Sequence, residues 1–404
     1  MIQCSPWYVW TLCIRDGLRN TMAKISIKFN QPTITGLEER YLLDALHSLH
    51  LTGDGKYTKK VNKFFKDRFD IDHFLLTTSG TDALELASLL FELNPGDEVI
   101  VPSFTFSSTV NAFLLRRAKP VFCDIRKDTF NMDERKIEAL ITPRTRAIYV
   151  VHYAGVPCEM DYINALAEEY NLVVIEDAAQ AVGSYYKGKV AGTLTDFGCY
   201  SFHATKNYAM GEGGALVVSD KVVHERAEIL REKGTNRHQL MLGMVDKYSW
   251  HDIGSSFLPS DLLASILYAQ LERYDEIFDK RMGIWNRYQE QLLPYESDDT
   301  FRCPIIPDEC EHNAHMYNIL LPDHIDRKTV INGMRERGVG AVICYVPLHS
   351  SPFGRELGNT PDVCPITESY ASRIVRLPLH FNLSMEDVDT VCQTLVDVVK
   401  SISK

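Results

Sequence analysis

Tyr200-Ser201-Phe202-His203-Ala204-Thr205-Lys206-Asn207 leads into Gly211-Glu212-Gly213-Gly214-Ala215. The apolar run 197–202 reads as a strand, Lys206 stands just past its end, and a glycine turn follows. A lone lysine in such a place is more often a solvated loop residue than a reactive amine. A second stretch changes that reading. Val174-Ile175-Glu176-Asp177-Ala178-Ala179-Gln180 is a buried-type strand ending in carboxylates.

Outward from these stretches the chain alternates. Residues 74–77 read as a strand, and Ser79-Gly80-Thr81-Asp82 is a turn that can cap a helix running to Glu92. Asn94-Pro95-Gly96-Asp97 is a turn signal ahead of a strand over 98–102. Helices over 107–117, 133–141 and 159–170 then alternate with strands over 120–124, 146–151 and 172–176. Strands over 197–202 and 214–218 and a helix over 222–233 follow. This rhythm predicts an α/β fold with a mostly parallel sheet covered by helices on both faces. In such sheets ligands sit at the carboxyl ends of the strands. The 79–82 turn, Phe104-Thr105-Phe106 and Asp177 all fall at those ends.

The flanks are simpler. Helical periodicity covers 36–50, and Val61, Phe64, Phe65 and Phe69 mark a second amphipathic helix. Residues 234–256 form a long polar and aromatic loop, of the kind that is usually functional. A long helical pattern over 260–293 leads to a smaller α+β unit, with strands over 317–321 and 341–345 and helices over 326–337, 367–375 and 384–400. The expected division is a large domain over 24–265 and a linker helix with a small domain over 266–404. Residues 1–23 read as a disordered or non-native extension, because Trp7-Tyr8-Val9-Trp10-Thr11-Leu12-Cys13-Ile14 lacks the flanks of a signal peptide and Met22 opens an ordinary start.

Composition narrows the classes. The 404 residues carry a net charge of −11, which argues against a nucleic-acid binder with its basic face. No apolar run approaches the ~18 residues of a membrane span. The ten cysteines are scattered, without C-x-x-C pairs or metal-ligand spacing, and read as buried thiols in a reducing cytoplasm. No metal site is expected.

A lysine and an aspartate at the top of one parallel sheet, beside the helix start at Ser79-Gly80-Thr81, are the parts that pyridoxal phosphate needs. The amine forms a Schiff base with its aldehyde. The carboxylate keeps its pyridine nitrogen protonated. The helix N-terminus takes the phosphate dianion. Phe106 can cover the ring face. Taken singly, Asp177 would be a strand-end cap, Ser79-Gly80-Thr81 an ordinary turn and Phe106 a core residue.

As a set, Glu176-Asp177-Ala178-Ala179-Gln180, Ser201-Phe202-His203-Ala204-Thr205-Lys206-Asn207, Gly211-Glu212-Gly213-Gly214 and Pro102-Ser103-Phe104-Thr105-Phe106 closely resemble the DegT/DnrJ/EryC1/StrS sugar aminotransferases. The resemblance runs over 24–404. It implies fold type I of the pyridoxal-phosphate enzymes, a cytoplasmic homodimer with interfacial active sites, and specific roles. Lys206 would carry the cofactor and move the proton, and Asp177 would meet the pyridine nitrogen. Gln180 would lie near the phenolic oxygen, Gly80, Thr81 and Ser201 would hold the phosphate, and Phe106 would stack on the ring. Lys233-Gly234-Thr235-Asn236-Arg237, Val245-Asp246-Lys247-Tyr248-Ser249-Trp250, Asp252-Ile253-Gly254-Ser255-Ser256 and Asn313-Ala314-His315-Met316-Tyr317 resemble one branch more narrowly. That branch makes dTDP-4-amino-4,6-dideoxygalactose for enterobacterial common antigen.

The implied reaction takes the amino group of L-glutamate to C4 of a dTDP-4-keto-6-deoxy sugar, for surface polysaccharide such as O-antigen. Arg237, Lys247, His315 and His349 are the candidates to meet diphosphate or sugar hydroxyls. One position departs from many relatives: Leu258 stands where an asparagine reaches the neighbouring subunit's phosphate. Other readings are a 3-keto or UDP-linked sugar, a dehydratase and a non-catalytic regulator. Lys206 argues against the dehydratases, which resemble this family but carry histidine there. The Lys206–Asp177 pair argues against the regulator.

Overall fold

The structure is a computed structural model that describes residues 25–402. The expectation for residues 1–23 lies outside the described residues. Seven strands form the central sheet: β1 (Phe74–Thr77), β2 (Glu98–Pro102), β3 (Lys119–Cys123), β4 (Thr145–Val151), β5 (Val173–Asp177), β6 (Phe197–Ser201) and β7 (Gly214–Val218). Their order is β1-β7-β6-β5-β4-β2-β3. The pairs β2–β3, β2–β4, β4–β5 and β5–β6 are parallel, and β7 runs antiparallel to both β1 and β6. The central strands are apolar at nearly every position because both sheet faces are covered, which explains their unbroken apolar runs. The register aligns the working ends: Gly214 lies between Thr77 and Ser201, and Asp177 pairs with Val151 and Cys199.

The helices that follow strands begin at this carboxyl edge. Helix α3 (Gly80–Leu90) starts two residues after β1, and α4 (Ser107–Leu114) starts after the loop that leaves β2. They are preceded by α1 (Glu38–His47) and α2 (Lys56–Phe69), whose Tyr41, Tyr57, Val61 and Phe65 join one core with Phe74, Tyr200 and Phe202. The crossover from β4 to β5 is α5 (Met160–Tyr170), and α6 (Lys221–Arg231) follows β7.

After α7 (Asp261–Leu271) and α8 (Tyr274–Leu292), a second sheet holds β8 (Tyr317–Leu320), β9 (Val342–Ile343) and β10 (Ile374–Leu377), with β10 in the middle and antiparallel to both. Helices α9 (Arg327–Glu336) and α10 (Met385–Ile402) share its core through Val330, Met334, Val388 and Leu395.

Three sequence expectations are corrected. The helix over 133–141 is two 3-10 turns, Glu134–Lys136 and Glu138–Leu140. Between Asp133 and Pro143 Ile137 is the one fully buried apolar side chain, so no apolar face holds a longer helix there. The helical pattern over 260–293 breaks at Arg273, whose φ of −111° and ψ of 28° leave the helical region while its guanidinium donates to the Thr35 carbonyl at 2.6 Å. The helix over 367–375 is a short helix, Pro365–Ala371, followed by β10. Ile374-Val375-Arg376-Leu377 is too short for periodicity to distinguish the two states, and partners on both sides make it a strand.

Candidate active site

A cleft of about 550 Å³ opens at the carboxyl edge of the central sheet, between it and the second sheet. Asp177 forms part of its floor. The side chain is buried, accepts a hydrogen bond from Thr109 Oγ1 at 2.7 Å, and accepts the Ala179 N–H at 3.2 Å. Thr105 Oγ1 lies 2.8 Å from Thr109 Oγ1, so a hydroxyl pair backs the carboxylate. Burial raises the Asp177 pKa, and the Thr109 hydrogen bond and the charge of Lys206 oppose that rise.

One end of the cleft is a helix start pressed against two strand ends. Ser79 is extended (φ −159°, ψ 166°) and caps α3 by accepting the Asp82 N–H at 3.0 Å. A Cβ on Gly80 would lie 2.9 Å from Ser201 Cβ, and one on Gly214 would lie 2.4 Å from the Ser79 carbonyl oxygen. Both positions need glycine for this approach. The unpaired N–H groups of the first helical turn therefore face the cleft together with Ser201, Thr81 and Ser108. The Thr81 and Ser108 hydroxyls are 2.7 Å apart. These donors and the dipole end suit a phosphate dianion.

Lys206 lies on a loop closed by backbone bonds from Phe202 N–H to the Gly213 carbonyl (2.7 Å) and from Ala204 N–H to the Gly211 carbonyl (2.8 Å). Gly211 permits the turn with a φ of +87°. The residue is half-buried and lines the cleft. Desolvation lowers its amine pKa to about 8, with Asp177 pulling upward and Arg376 pushing down.

Gln180 is held at both ends of its amide. Its Oε1 accepts the Ala154 N–H at 2.7 Å, and its Nε2 donates to Tyr345 Oη at 2.7 Å. Phe106 lines the cleft with its ring 59% exposed and 6.4 Å from that of Tyr345. His315 lines it too, buried, with Nδ1 2.9 Å from Asn207 Oδ1. Because the Asn207 amide nitrogen donates to the Asn313 carbonyl, its oxygen is an acceptor and His315 Nδ1 carries the proton. Burial first, and then the charges of Lys206, Arg281 and Arg376, hold His315 far below its ordinary pKa, so Nε2 is a lone-pair acceptor.

Of the residues expected from sequence, Gly80, Thr81, Phe106, Asp177, Gln180, Ser201, Lys206 and His315 meet at this one cleft. Three others do not line it. His349 is fully buried, with Nδ1 2.5 Å from Ser103 Oγ and Nε2 3.2 Å from Glu368, and ties the end of β2 to the segment after β9. Arg237 sits 3.5 Å from Glu232 on a short helix, Arg237–Met241, and Lys247 is exposed on the same long loop. Leu258 is also off the cleft, packed so tightly on Gly53 that a Cβ there would come within 2.3 Å. Tyr345, Thr109, Ser108 and Arg376 were missed. Thr109 and Ser108 follow Phe106 within one helical turn, a usable signal, whereas Tyr345 and Arg376 come from segments without a motif. Among the described residues, no group of histidine, cysteine or carboxylate side chains could hold a metal ion.

Residues 32–396 match the DegT/DnrJ/EryC1/StrS aminotransferase family. The chain belongs to this family. The GDP-perosamine synthase of Escherichia coli O157:H7 is 33% identical over 371 residues, covering 90% of this chain and 96% of that protein. The spore coat polysaccharide biosynthesis protein SpsC of Bacillus subtilis strain 168 is 32% identical over 387 residues, covering 93% and 97%. Among solved structures, a sugar aminotransferase of Streptococcus pneumoniae, Spr1654, in its pyridoxamine-phosphate form matches with a TM-score of 0.86 at 28% identity, covering 93% of this chain and all of that one. The DegT-family chain is thus a pyridoxal-phosphate-dependent sugar aminotransferase of fold type I.

The residues present fit that cofactor. Asp177 is a buried carboxylate with hydrogen-bond donors but no ion-pair partner among the described residues, as a protonated ring nitrogen requires. The glycines at 80 and 214 let the helix start press against the strand ends, which places its free N–H groups at the cleft beside Thr81 and Ser201. Lys206 offers an amine whose neutral form is accessible near neutral pH.

Proposed function

We propose that this enzyme aminates C4 of a dTDP-4-keto-6-deoxy hexose with L-glutamate as donor, giving a dTDP-4-amino-4,6-dideoxy sugar for surface polysaccharide. The observation that carries the catalytic part is the convergence of Lys206, Asp177 and the Gly80 helix start on one cleft. The match to the branch segments at 233–237, 245–256 and 313–317 supports the sugar.

Bound pyridoxal phosphate supplies an electron sink next to the carbon that loses or gains a proton. Asp177 would hold the ring nitrogen's proton, and Thr109 steadies the carboxylate. Gly80, Thr81 and Ser201 would hold the phosphate, Gln180 would meet the phenolic oxygen, and Phe106 would cover the ring. Lys206 would anchor the cofactor, and its Nζ would serve as the base that holds and moves the proton. Its lowered pKa suits both directions. His315 offers Nε2 as an acceptor for a sugar hydroxyl.

A homodimer belongs to this reading. The long loop exposes Met241, Met244, Tyr248 and Trp250, the last at 81%, and such apolar exposure is what a second copy would cover. Arg237 and Lys247 would then serve the neighbouring cleft. The chain to about 265 would form the cofactor-binding domain and the remainder the small domain. The cysteines among the described residues, all buried and unbridged, support a cytoplasmic enzyme.

A second reading, a GDP-linked sugar, is favoured by the likeness to GDP-perosamine synthase. One experiment separates them. The enzyme is incubated with L-glutamate and dTDP-4-keto-6-deoxyglucose or its GDP-linked counterpart, and the product is read by NMR. A 4-amino sugar on dTDP alone supports the proposal, and the C4 proton couplings give its configuration. Product only from the GDP sugar, or an amine at C3, overturns it.

A further inference from the structure

We infer that Arg281 is a positioning residue for the sugar half of the reaction: from behind the cleft it holds the backbone that aims His315 Nε2 at the acceptor. This deepens the proposed function and rests on its assignment of His315 to a sugar hydroxyl.

His315 belongs to no regular element. β8 begins only at Tyr317, and Ala314 turns the chain with a φ of +49°, a left-handed conformation that strains a residue with a Cβ. Side chains, not strand partners, hold the carbonyls of this stretch. Asn207 Nδ2 donates to the Asn313 carbonyl at 2.9 Å, and Arg281 Nη2 donates to the Ala314 and His315 carbonyls at 3.0 and 2.8 Å. The last two carbonyls belong to the peptide groups on either side of His315. One guanidinium nitrogen therefore fixes both peptide planes that carry the histidine. Asn207, next to Lys206, fixes Nδ1 of its ring. Together they leave Nε2 one direction, into the cleft that His315 lines.

Arg281 has no other evident work. It lies on α8, is buried, and is not among the residues that line the cleft. Its Nε has no hydrogen-bond partner, and among the described residues no carboxylate pairs with it. Arg231, as deeply buried, pairs with both oxygens of Asp54 at 3.0 Å. Burial lowers the Arg281 pKa to about 10, so the side chain is still a cation at neutral pH. A buried cation without a counter-charge is a costly way to fill space. Its charge also reaches the ring. Besides burial, the groups that lower the His315 pKa are Lys206 from the loop after β6, Arg281 from α8 and Arg376 from β10. Arg281 thus aims Nε2 and helps to keep it unprotonated, as an acceptor must be.

The test uses the holoenzyme and its Arg281→Met and Arg281→Lys variants, each also combined with His315→Ala. The donor half is followed with L-glutamate through the cofactor's absorbance. The sugar half is followed with the 4-keto sugar, dTDP- or GDP-linked, that the wild type aminates. In Arg281→Met the sugar should saturate at roughly tenfold higher concentration or more, while glutamate changes less than about twofold. Arg281→Lys should recover most of the loss, since one ammonium can donate to both carbonyls. On the His315→Ala background, Arg281→Met should add less than about a twofold change. Equal losses in both halves, or a full loss that persists without His315, overturn the inference. Spectra of ¹⁵N-labelled histidine give a readout free of turnover, with the His315 signals identified by their absence in His315→Ala. The His315 titration midpoint should move upward in Arg281→Met and stay in Arg281→Lys; an unmoved midpoint in Arg281→Met overturns the inference. Should the methionine variant not fold, Arg281→Gln, neutral and shorter, carries the same comparisons. A wild type that aminates no keto sugar fails the substrate reading alone, and the histidine spectra still decide the part of Arg281.

Discussion

Thr109 Oγ1 donates to Asp177 Oδ2 at 2.7 Å, from the first turn of the helix that follows Phe106 to the last residue of β5. This bond opposes the burial that raises the Asp177 pKa. Thr109→Val removes the donor and keeps the shape, so the pKa rises further and less carboxylate is ionised at a given pH. The acid limb of the kcat pH profile should move upward, with kcat down roughly 10-fold near neutrality. Thr109→Ser should restore both. An acid limb that does not move contradicts the assignment.

Lys206 is a neutral amine above about pH 8 in the chain without cofactor, because its pKa is lowered and not raised. Only the neutral amine attacks an aldehyde. The rate of pyridoxal phosphate capture by the apoenzyme should therefore rise with pH through a midpoint near 8, readable by stopped-flow absorbance. A midpoint near the ordinary lysine value of about 10.4 would mean that the amine is not desolvated.

Gly214→Ala places a methyl group 2.4 Å from the Ser79 carbonyl oxygen and 2.5 Å from Gly80 N. The helix start must move off the strand ends. We expect a loss of about 1–3 kcal/mol of stability and at least roughly tenfold weaker cofactor binding, measured by denaturant melts and by cofactor titration. Stability lost with cofactor affinity intact would separate this approach from the phosphate site.

His349 was expected at the substrate and lies in the interior instead. His349→Ala removes the ring partner of the Ser103 hydroxyl, leaving only the residue-349 backbone N–H on it, and opens a cavity, costing about 2–4 kcal/mol. Thermal melting should fall while the Michaelis constant for the nucleotide sugar stays within about twofold. A selective rise in that constant would return His349 to the site.

The sheet was legible because its strands are short apolar runs between turn signals, and 74–77, 98–102 and 214–218 were placed to the residue. Asp177, Lys206 and Gly80 were legible because strand ends and a helix start define one edge of a parallel sheet. Arg376 and Tyr345 were not, since a four-residue strand and the irregular segment after Val342–Ile343 carry no periodicity. Their place at the cleft depends on how the second sheet meets the first. His349 shows the converse, as a polar residue near a conspicuous proline that pairing with Ser103 makes structural.

Lys206 is the residue assigned to carry the cofactor. Borohydride reduction of the holoenzyme, followed by digestion and peptide mass spectrometry, tests it most directly. One pyridoxyl-phosphate mass addition is expected, on Lys206, and none in Lys206→Ala. A label on another lysine, or an undiminished label in Lys206→Ala, would contradict it.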